Sequence, residues 1–368
     1  MKKEMEMYPN KEVTILFILL RAGLWEKEPE SLSLFPLSGE SWENIYRMAR
    51  RQTVTGLVYR GVCHLPDEML PPEKLLVRWV AEINAIEQRN HRMNAVLAEL
   101  YEMFRNDGLT PVLQKGQSAA LFYEFPLLRE CGDIDFYFPY KNEREFAIRI
   151  VKNRGIRVDW QPDDSVSYIW NSIEVEHHPR MLDLYNPFLH EDLNSLETLF
   201  GYHDVWLSPG CEITIPSPTL YVLLLNTHIM KHAIGRGIGL RQLCDMARAC
   251  HRLHIAVTSS EIKNICCKAG IIGWNRLLHS FLVEHLGLPV TSLPYKDRPV
   301  SSRPLLERVL EGGNFGQYRM ERTPGTQAVW QRKLYTAHSF LRNVSLSFGY
   351  APKEAFWTFT NLLTGQVK

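Results

Sequence analysis

The sequence predicts an α/β or α+β core of about a hundred residues, an ordinary domain size, between two helical regions. Short β-rich runs alternate with helical pieces between residues 109 and 216, and several of these runs alternate apolar with polar residues. Residues 1–108 and 217–368 instead repeat apolar residues at intervals of three and four, the spacing of helices that bury one face. We therefore expect three regions, an N-terminal helical region, a core and a C-terminal helical region.

The composition excludes several classes of protein. Lys and Arg number 42 and Asp and Glu 41 among the 368 residues, so no net charge draws the chain to nucleic acid or to an anionic membrane. A hydrophobic content of 45% is typical of a globular chain with a sizeable core. No apolar run is long enough to span a bilayer, and the run over residues 15–20 is too short for a signal peptide.

The cysteines indicate a reducing compartment. Their number, seven, is odd, and their spacings match neither a CxxC pair nor a zinc-binding Cys/His ladder. Cys266 and Cys267 are adjacent, which suits neither an ordinary disulfide nor a zinc clamp. We therefore expect free thiols in a protein of the cytoplasm.

The N-terminal region is predicted to be a helical lobe that packs against the core. Ser41 is placed to cap a helix over residues 41–52, whose apolar residues have helical spacing. Pro71 and Pro72 open a long helix, which the Asn-Asp-Gly sequence of residues 106–108 ends. We expect this lobe to have a structural role.

In the core, the pattern predicts strand, helix and strand, followed by a helix and further strands. Strands are expected over residues 109–115, 133–139, 156–161, 165–171, 172–178 and 211–218. Helices are expected over residues 117–125 and 142–155.

The C-terminal region is predicted to be helical. Helices are expected over residues 218–234, 240–253, 259–270, 273–287, 328–349 and 352–363. Residues 294–325 are rich in Pro, Gly and Arg and are expected to form an irregular loop.

Asp133 and Asp135 are the most informative residues. They lie one residue apart on a predicted strand, so their side chains point to the same face. Side-by-side carboxylates repel each other unless a cation lies between them, and Mg²⁺ (or Mn²⁺) prefers oxygen ligands and often holds substrate phosphates as well. Apolar Ile134, Phe136 and Phe138 favour a central strand over an edge strand with solvated acids. The pattern predicts a metal-dependent site that handles phosphates.

Lys115, Gly116 and Ser118 lie at the turn between a predicted strand and helix. Glycine lets backbone N–H groups approach a ligand, and a helix N-terminus favours phosphate. Ser118 could donate to a phosphate oxygen or cap the helix, and Lys115 could neutralise a triphosphate or be a solvated strand end. The GxxxxGK[ST] spacing of a Walker A loop is absent.

Glu174 and Glu176 share one face of a later strand. Either could be the third carboxylate of a two-metal site that activates the attacking hydroxyl, and a solvated strand face is the alternative. The adjacent His177 and His178 point apart, which does not favour zinc.

His228 and His232 are four residues apart on one helix face. Because no Glu follows His228, the HExxH pattern is missing, and substrate contact or a polar cleft lining is favoured over zinc. On the next helix, Arg241 and Asp245 have the spacing of an ion pair, which a purely structural role would also explain.

Together these motifs resemble the nucleotidyltransferase superfamily with a polymerase-beta-like core, and most closely its bacterial group of uncharacterised nucleotidyltransferase-like proteins. The resemblance covers residues 49–250. The motifs that carry it occur in the expected order and are Lys115-Gly116, Arg129, Gly132-Asp133-Ile134-Asp135, Glu174 to His177, His228 with His232, and the LRQLCD sequence of residues 240–245.

The resemblance implies an α+β fold with a mixed sheet and a magnesium-dependent reaction. A nucleoside monophosphate would pass from an NTP such as ATP to a hydroxyl of an acceptor, which is a small molecule, a protein or an RNA. The implied metal ligands are Asp133 and Asp135, with Glu174 or Glu176 as the third acid. Residues implied near the phosphates are Lys115, Gly116, Ser118, Arg129 and Gly132.

Two alternatives remain beside this reading. One is a catalytically degenerate member of the family that binds a nucleotide or a partner protein. The other is a toxin–antitoxin or tRNA-modifying nucleotidyltransferase, whose acceptor is a macromolecule. For the nucleotidyltransferase itself, the C-terminal helical region is expected to supply the base pocket and much of the acceptor site.

Overall fold

A mixed seven-stranded sheet with helices around it forms the α+β fold, which confirms the predicted fold class. This computed structural model describes residues 8, 10–161, 163–235, 237–312, 344 and 346–364.

Among the described residues up to 108 lie the helices α1 (Lys11–Trp25), α2 (Gly39–Arg51), α3 (Thr55–Val62) and α4 (Glu73–Asn106). Helix α1 is buried nearly all round, and its backbone lies against α3. A Cβ at Gly61 would lie 2.0 Å from the carbonyl oxygen of Leu19, so this approach requires glycine. Ser41 is not the cap of α2, because the Oγ of Ser38 accepts the N–H of Ser41 one turn earlier.

The strands are β1 (Val112–Leu113), β2 (Asp133–Tyr137), β3 (Val158–Trp160), β4 (Val166–Trp170), β5 (Ile173–His178), β6 (Tyr202–Ser208) and β7 (Cys211–Pro216). They lie in the order β3-β4-β5-β2-β1-β7-β6. The pairs β2–β5 and β1–β7 are parallel and the other pairs are antiparallel. Strand β2 is therefore central, as its apolar residues predicted.

The other helices of the described residues are α5 (Gln117–Ala120), α6 (Glu143–Asn153), α7 (His190–Phe200), α8 (Pro218–Ile234), α9 (Leu240–Leu253), α10 (Ser259–Ala269), α11 (Ile272–Leu286), α12 (Arg303–Gly312) and α13 (Pro352–Thr364). In the described part of the chain, no helix combines the length and apolar character needed to cross a membrane. All seven cysteines are free thiols, as expected.

Several predicted elements differ from the structure. The helix expected over residues 117–125 ends at Ala120, after which the backbone N–H groups of Leu121, Phe122 and Tyr123 bond three residues back in tighter turns. Helix α12 lies in the stretch predicted to be an irregular loop, and α7 and β6 were not predicted. The helix expected over residues 328–349 falls mostly outside the described residues.

The two faces of β2 and β5 differ sharply. Ile134 and Phe136 on β2 and His177 on β5 are fully buried and face the core. The ring of Phe104 from α4 packs edge-on against Phe136 and His177, with centroids 5.6 Å away in both cases. Because side chains alternate along a strand, the acids of β2 and β5 are directed to the opposite face.

Candidate active site

The parallel pairing of β2 and β5 gathers the predicted acids on one sheet face. Asp133 lies opposite Glu174, and Asp135 lies opposite Glu176. Asp135 is almost fully buried, Asp133 and Glu176 are half-buried, and Glu174 is exposed. Burial therefore increases from Glu174 towards Asp135, which marks Asp135 as the centre of the site.

Asp135, Glu176 and His178 form a group that could hold a metal ion, since a ligand atom of each lies within 4.8 Å of the others. His178 Nε2 is 2.7 Å from Asp135 Oδ1 and 3.2 Å from Glu176 Oε2. Asp135 Oδ2 is buried and has no hydrogen-bond partner among the described residues. Two carboxylates and an imidazole, with one acceptor left unused, fit a divalent ion.

This group overlaps the ligand set predicted from the sequence. The predicted metal ligands were Asp133, Asp135 and either Glu174 or Glu176, and of these Asp135 and Glu176 belong to the close group in the described structure. His178 was not predicted. Its signal was present, because residues 176 and 178 are two apart on a strand and must share a face.

Lys115 lies inside the site. Its Nζ is 2.6 Å from Asp135 Oδ1 and 3.2 Å from His178 Nε2, and its side chain is 14% exposed. Of the two roles left open by the sequence, a solvated strand end does not match this burial. The fold itself therefore places a cation beside the central acid.

The charges of the site change the pKa values of its acids in opposite directions. The negative charge of Asp135, together with burial, raises the pKa of Asp133 to about 6. Burial disfavours the ionised form of Asp135, but Lys115 and His178 favour that form more strongly and hold the pKa of Asp135 below its usual range. Burial and Lys115 disfavour protonation of His178, yet its hydrogen bonds to Asp135 and Glu176 raise its pKa to about 9. Asp133 thus carries repulsion that a further cation would relieve.

The turn after β1 brings the backbone close to β2. Gly116 has φ +76°, and a Cβ there would lie 3.2 Å from the carbonyl oxygen of Asp133. Ser118 is fully buried and its Oγ is 2.7 Å from the hydroxyl of Tyr221, so it does not cap α5. The Gly132 carbonyl accepts a hydrogen bond of 3.0 Å from Arg89.

Arg129 and Asp245 form a buried ion pair with two hydrogen bonds, Nη2 to Oδ2 at 2.6 Å and Nε to Oδ1 at 3.1 Å. The Tyr123 hydroxyl donates to the same carboxylate at 2.8 Å. Arg241 donates to the carbonyl of Glu130 at 2.8 Å. Helix α9 thus fixes the segment just before β2, which positions the acids of that strand.

The two predicted histidines of α8 lie together, with ring centroids 4.4 Å apart for His228 and His232. His228 Nδ1 is 3.2 Å from Asp183 Oδ2, and Lys231 Nζ is 2.9 Å from Asp183 Oδ1. Asp183 and Lys231 were not predicted, although residues 228 and 231 have the spacing of neighbours on one helix face.

Comparison with known proteins gives one family. A family model described as uncharacterised nucleotidyltransferase matches residues 38–279. A solved structure, an antigenic nucleotidyltransferase-like protein from Paracoccidioides brasiliensis, is similar over 53% of this chain and 92% of that chain, with 12% identity and a TM-score of 0.32. Among curated proteins none matches. Since the family model matches more than half of the chain, the protein belongs to the uncharacterised nucleotidyltransferase family.

Proposed function

We propose that the protein transfers a nucleoside monophosphate from an NTP to an acceptor hydroxyl and releases pyrophosphate, with Mg²⁺ or Mn²⁺ as cofactor. The observation that carries this proposal is the group Asp135, Glu176 and His178 on one sheet face, with Lys115 beside it. The group lies within the residues that the family model matches.

The residues present fit a divalent ion. The unpartnered oxygen of Asp135 and the raised pKa of Asp133 both favour an added positive charge. Asp135, Glu176 and His178 would hold the ion. The negative charge of Asp133, on the same face of the sheet, would further stabilise the bound ion. When bound, the ion would neutralise phosphate charge and favour attack at the α-phosphorus.

Glu176 is the third acid in this proposal. It lies opposite Asp135 in the β2–β5 register and contacts His178, whereas Glu174 lies exposed opposite Asp133. The sequence alone did not distinguish the two glutamates as candidates for the third acid, because both point to the same face of the strand.

Lys115 is placed to offset charge on the phosphates. Its Nζ already contacts Asp135 and is held in a partly enclosed site, where its charge acts more strongly than in water. The turn at Gly116 brings backbone N–H groups to the same edge of the sheet, where they can approach the triphosphate. Arg129 forms an ion pair with Asp245, and Ser118 forms a hydrogen bond with Tyr221. In this proposal both residues act by positioning the loops around the site.

One observation favours a second candidate function, binding of a nucleotide without chemistry. Lys115 and His178 already neutralise much of the charge of Asp135. In a catalytically degenerate member, these internal cations would substitute for the metal ion and keep the fold stable. This candidate predicts NTP binding that does not depend on divalent ions.

Incubation of α-labelled NTPs with Mg²⁺ and cell extract tests the proposal, because it asks which molecule acquires the label. We expect transfer and pyrophosphate release by the wild-type chain and by Asp159→Asn, a control at an exposed acid on β3. We expect neither from Asp135→Asn. NTP binding without pyrophosphate release would favour the second candidate, and no binding by the wild-type chain would overturn both.

A further inference from the structure

A second group of ionisable side chains adjoins the acidic face. Asp183 follows β5, Asp163 precedes β4, and His228 and Lys231 lie on α8 one turn apart. We call these four residues the Asp183 cluster. All four are at least partly buried, and ion pairs of 3.2 Å or less link them.

Within the cluster, Asp183 is held from three sides. Its Oδ2 faces His228 Nδ1 at 3.2 Å, its Oδ1 accepts from Lys231 at 2.9 Å, and its backbone N–H donates to Thr227 Oγ1 at 3.3 Å. A carboxylate cannot donate, so the proton of a neutral His228 must lie on Nδ1. Its Nε2 then carries the lone pair, and no described residue is hydrogen-bonded to it.

Hydrogen bonds connect this cluster to the metal-binding group. Ser165 Oγ lies 3.1 Å from Glu176 Oε1 and 2.8 Å from Asp163 Oδ1, so its one proton can bond to either carboxylate. Asp163 Oδ2 is in turn 3.2 Å from Lys231 Nζ. The Asp183 cluster and the metal-binding group are therefore parts of one polar surface.

We infer that His228 is the general base that removes the proton from the acceptor hydroxyl, and that Asp183 is its positioning residue. This inference rests on the proposed function, since it assigns a role within that reaction. An imidazole oriented through Nδ1 by a partly buried carboxylate, with Nε2 available, is an arrangement that suits a general base.

The reaction balances with this assignment. The acceptor hydroxyl gives its proton to His228 Nε2 as its oxygen forms a bond to the α-phosphorus of the NTP. The bond between the α-phosphorus and the oxygen bridging to the β-phosphate breaks, and its electron pair leaves with pyrophosphate. His228 then releases the proton to solvent, and Asp183 stabilises the imidazolium while it exists.

The electrostatics of the site favour His228 over Glu176 as the base. Burial lowers the pKa of His228, Asp183 opposes this, and Lys115 and Lys231 add to it, so the ring is neutral at pH 7. Burial raises the pKa of Glu176, but its hydrogen bond to His178 outweighs this and lowers it, which makes the carboxylate a weak base. His232, a further titratable group facing His228, is half-buried, and its pKa is lowered well below the usual value.

Nitrogen NMR of the full-length chain with labelled histidines tests the geometry without substrate. The His228 signals are assigned from their loss in His228→Gln. We expect Nδ1 to be protonated and Nε2 unprotonated at pH 7.5. The opposite tautomer would overturn the inference, because Nε2 would then have no lone pair to accept a proton.

Pyrophosphate release from the four α-labelled NTPs, with Mg²⁺ and with cell extract as the source of the acceptor, tests the role. His228→Gln keeps a donor towards Asp183 but has no basic nitrogen, and should lower kcat by about 100-fold with little change in KM. It should also abolish the acidic limb of the kcat–pH profile, which a purely structural role would not do. Asp183→Asn should lower kcat and shift that limb, because the amide no longer selects the Nδ1–H tautomer of His228.

The matched control is His254→Gln, since His254 is exposed and bonded to its own turn at the carbonyl of His251. It should release pyrophosphate at the wild-type rate. Activity of His228→Gln within twofold of wild type would overturn this inference and leave the proposed function intact. A wild-type chain that releases no pyrophosphate would instead overturn the proposed function, and this inference with it.

Discussion

Asp133→Asn and Asp135→Asn exchange the same atoms on the same strand, yet the structure predicts opposite effects on stability. Asp135 lies 2.6 Å from Lys115 Nζ and 2.7 Å from His178 Nε2, so its loss leaves two buried cations without their shared carboxylate. Asp133 instead bears the repulsion of Asp135. Replacing the Asp133 carboxylate with a neutral amide should therefore raise the stability of the metal-free protein.

The expected magnitudes follow from the distances and pKa values. At 2.6 Å and an effective dielectric constant of about 20, the Asp135–Lys115 attraction is about 6 kcal/mol before desolvation is subtracted. Breaking a buried ion pair costs about 3–5 kcal/mol of stability. Because Asp135→Asn also removes the repulsion on Asp133, we expect a net loss of about 3 kcal/mol in the free energy of unfolding. The raised pKa of Asp133 corresponds to about 3 kcal/mol at full strength, and solvent screening of a half-buried group reduces the expected gain to about 1–2 kcal/mol.

The assay is scanning calorimetry of both variants in metal-free buffer with a chelator at pH 7.5. For a chain of 368 residues, 1 kcal/mol corresponds to a change in Tm of about 1.3 °C. We expect Tm to fall by about 4 °C in Asp135→Asn and to rise by about 2 °C in Asp133→Asn. The exposed control Asp159→Asn should change Tm by less than about 1 °C. A Tm for Asp135→Asn equal to or above that of Asp133→Asn would refute this account of the charges.

Mg²⁺ or Mn²⁺ should raise the Tm of the wild-type chain, because the ion binds the folded state through the group centred on Asp135. The rise should shrink in Glu176→Gln and persist in Glu174→Gln, and equal rises in the two variants would remove Glu176 from the metal site. Acid should destabilise the fold through His279, which is 3% exposed and whose pKa burial lowers to about 4. Because the unfolded imidazole has a pKa of about 6.5, its contribution is fully present above that pH and is lost as the pH falls towards 4. The contribution of His279 to the free energy of unfolding falls by about 2 kcal/mol at pH 5. When Tm is followed from pH 7 to pH 5, His279→Leu should not show this decrease.

The sequence predicted the face of the site well, because that face depends on local alternation. Asp133 and Asp135 between apolar neighbours must point away from the core, whatever the rest of the chain does. The same rule would have included His178, since it applies equally to residues 176 and 178. The family motifs then gave the order of the elements around this strand.

The choice of partners was harder to predict, because it depends on contacts between distant residues. Glu174 and Glu176 share a face, and only the register of β5 against β2 distinguishes them. Asp245 has a possible partner four residues earlier on its own helix, yet its bidentate partner is Arg129, which lies 116 residues away in sequence. Local spacing cannot reveal such a pair, since the periodicity of one helix carries no information about the loop that packs on it.

How well the element boundaries could be predicted also depended on the strength of the local sequence signal. Pro126 is a strong local signal, and it would have ended the expected helix before Phe125. Strand β6 and helix α7 gave weak signals because both lie at the surface, where partly exposed residues blur the apolar period.

The internal cations explain how one group of residues can serve both stability and function. A sheet that collects several carboxylates on one face would be unstable without compensation, and Lys115 and His178 supply that compensation at Asp135. At Asp133, Lys115 and Arg241 offset only part of the repulsion and burial, and the pKa of Asp133 remains raised. An arriving divalent ion and triphosphate would supply charge of both signs, so Lys115 could shift its contact from carboxylate to phosphate without leaving a bare charge. In the proposed reaction, the fold would thus tolerate the acids before the substrate binds and use them afterwards.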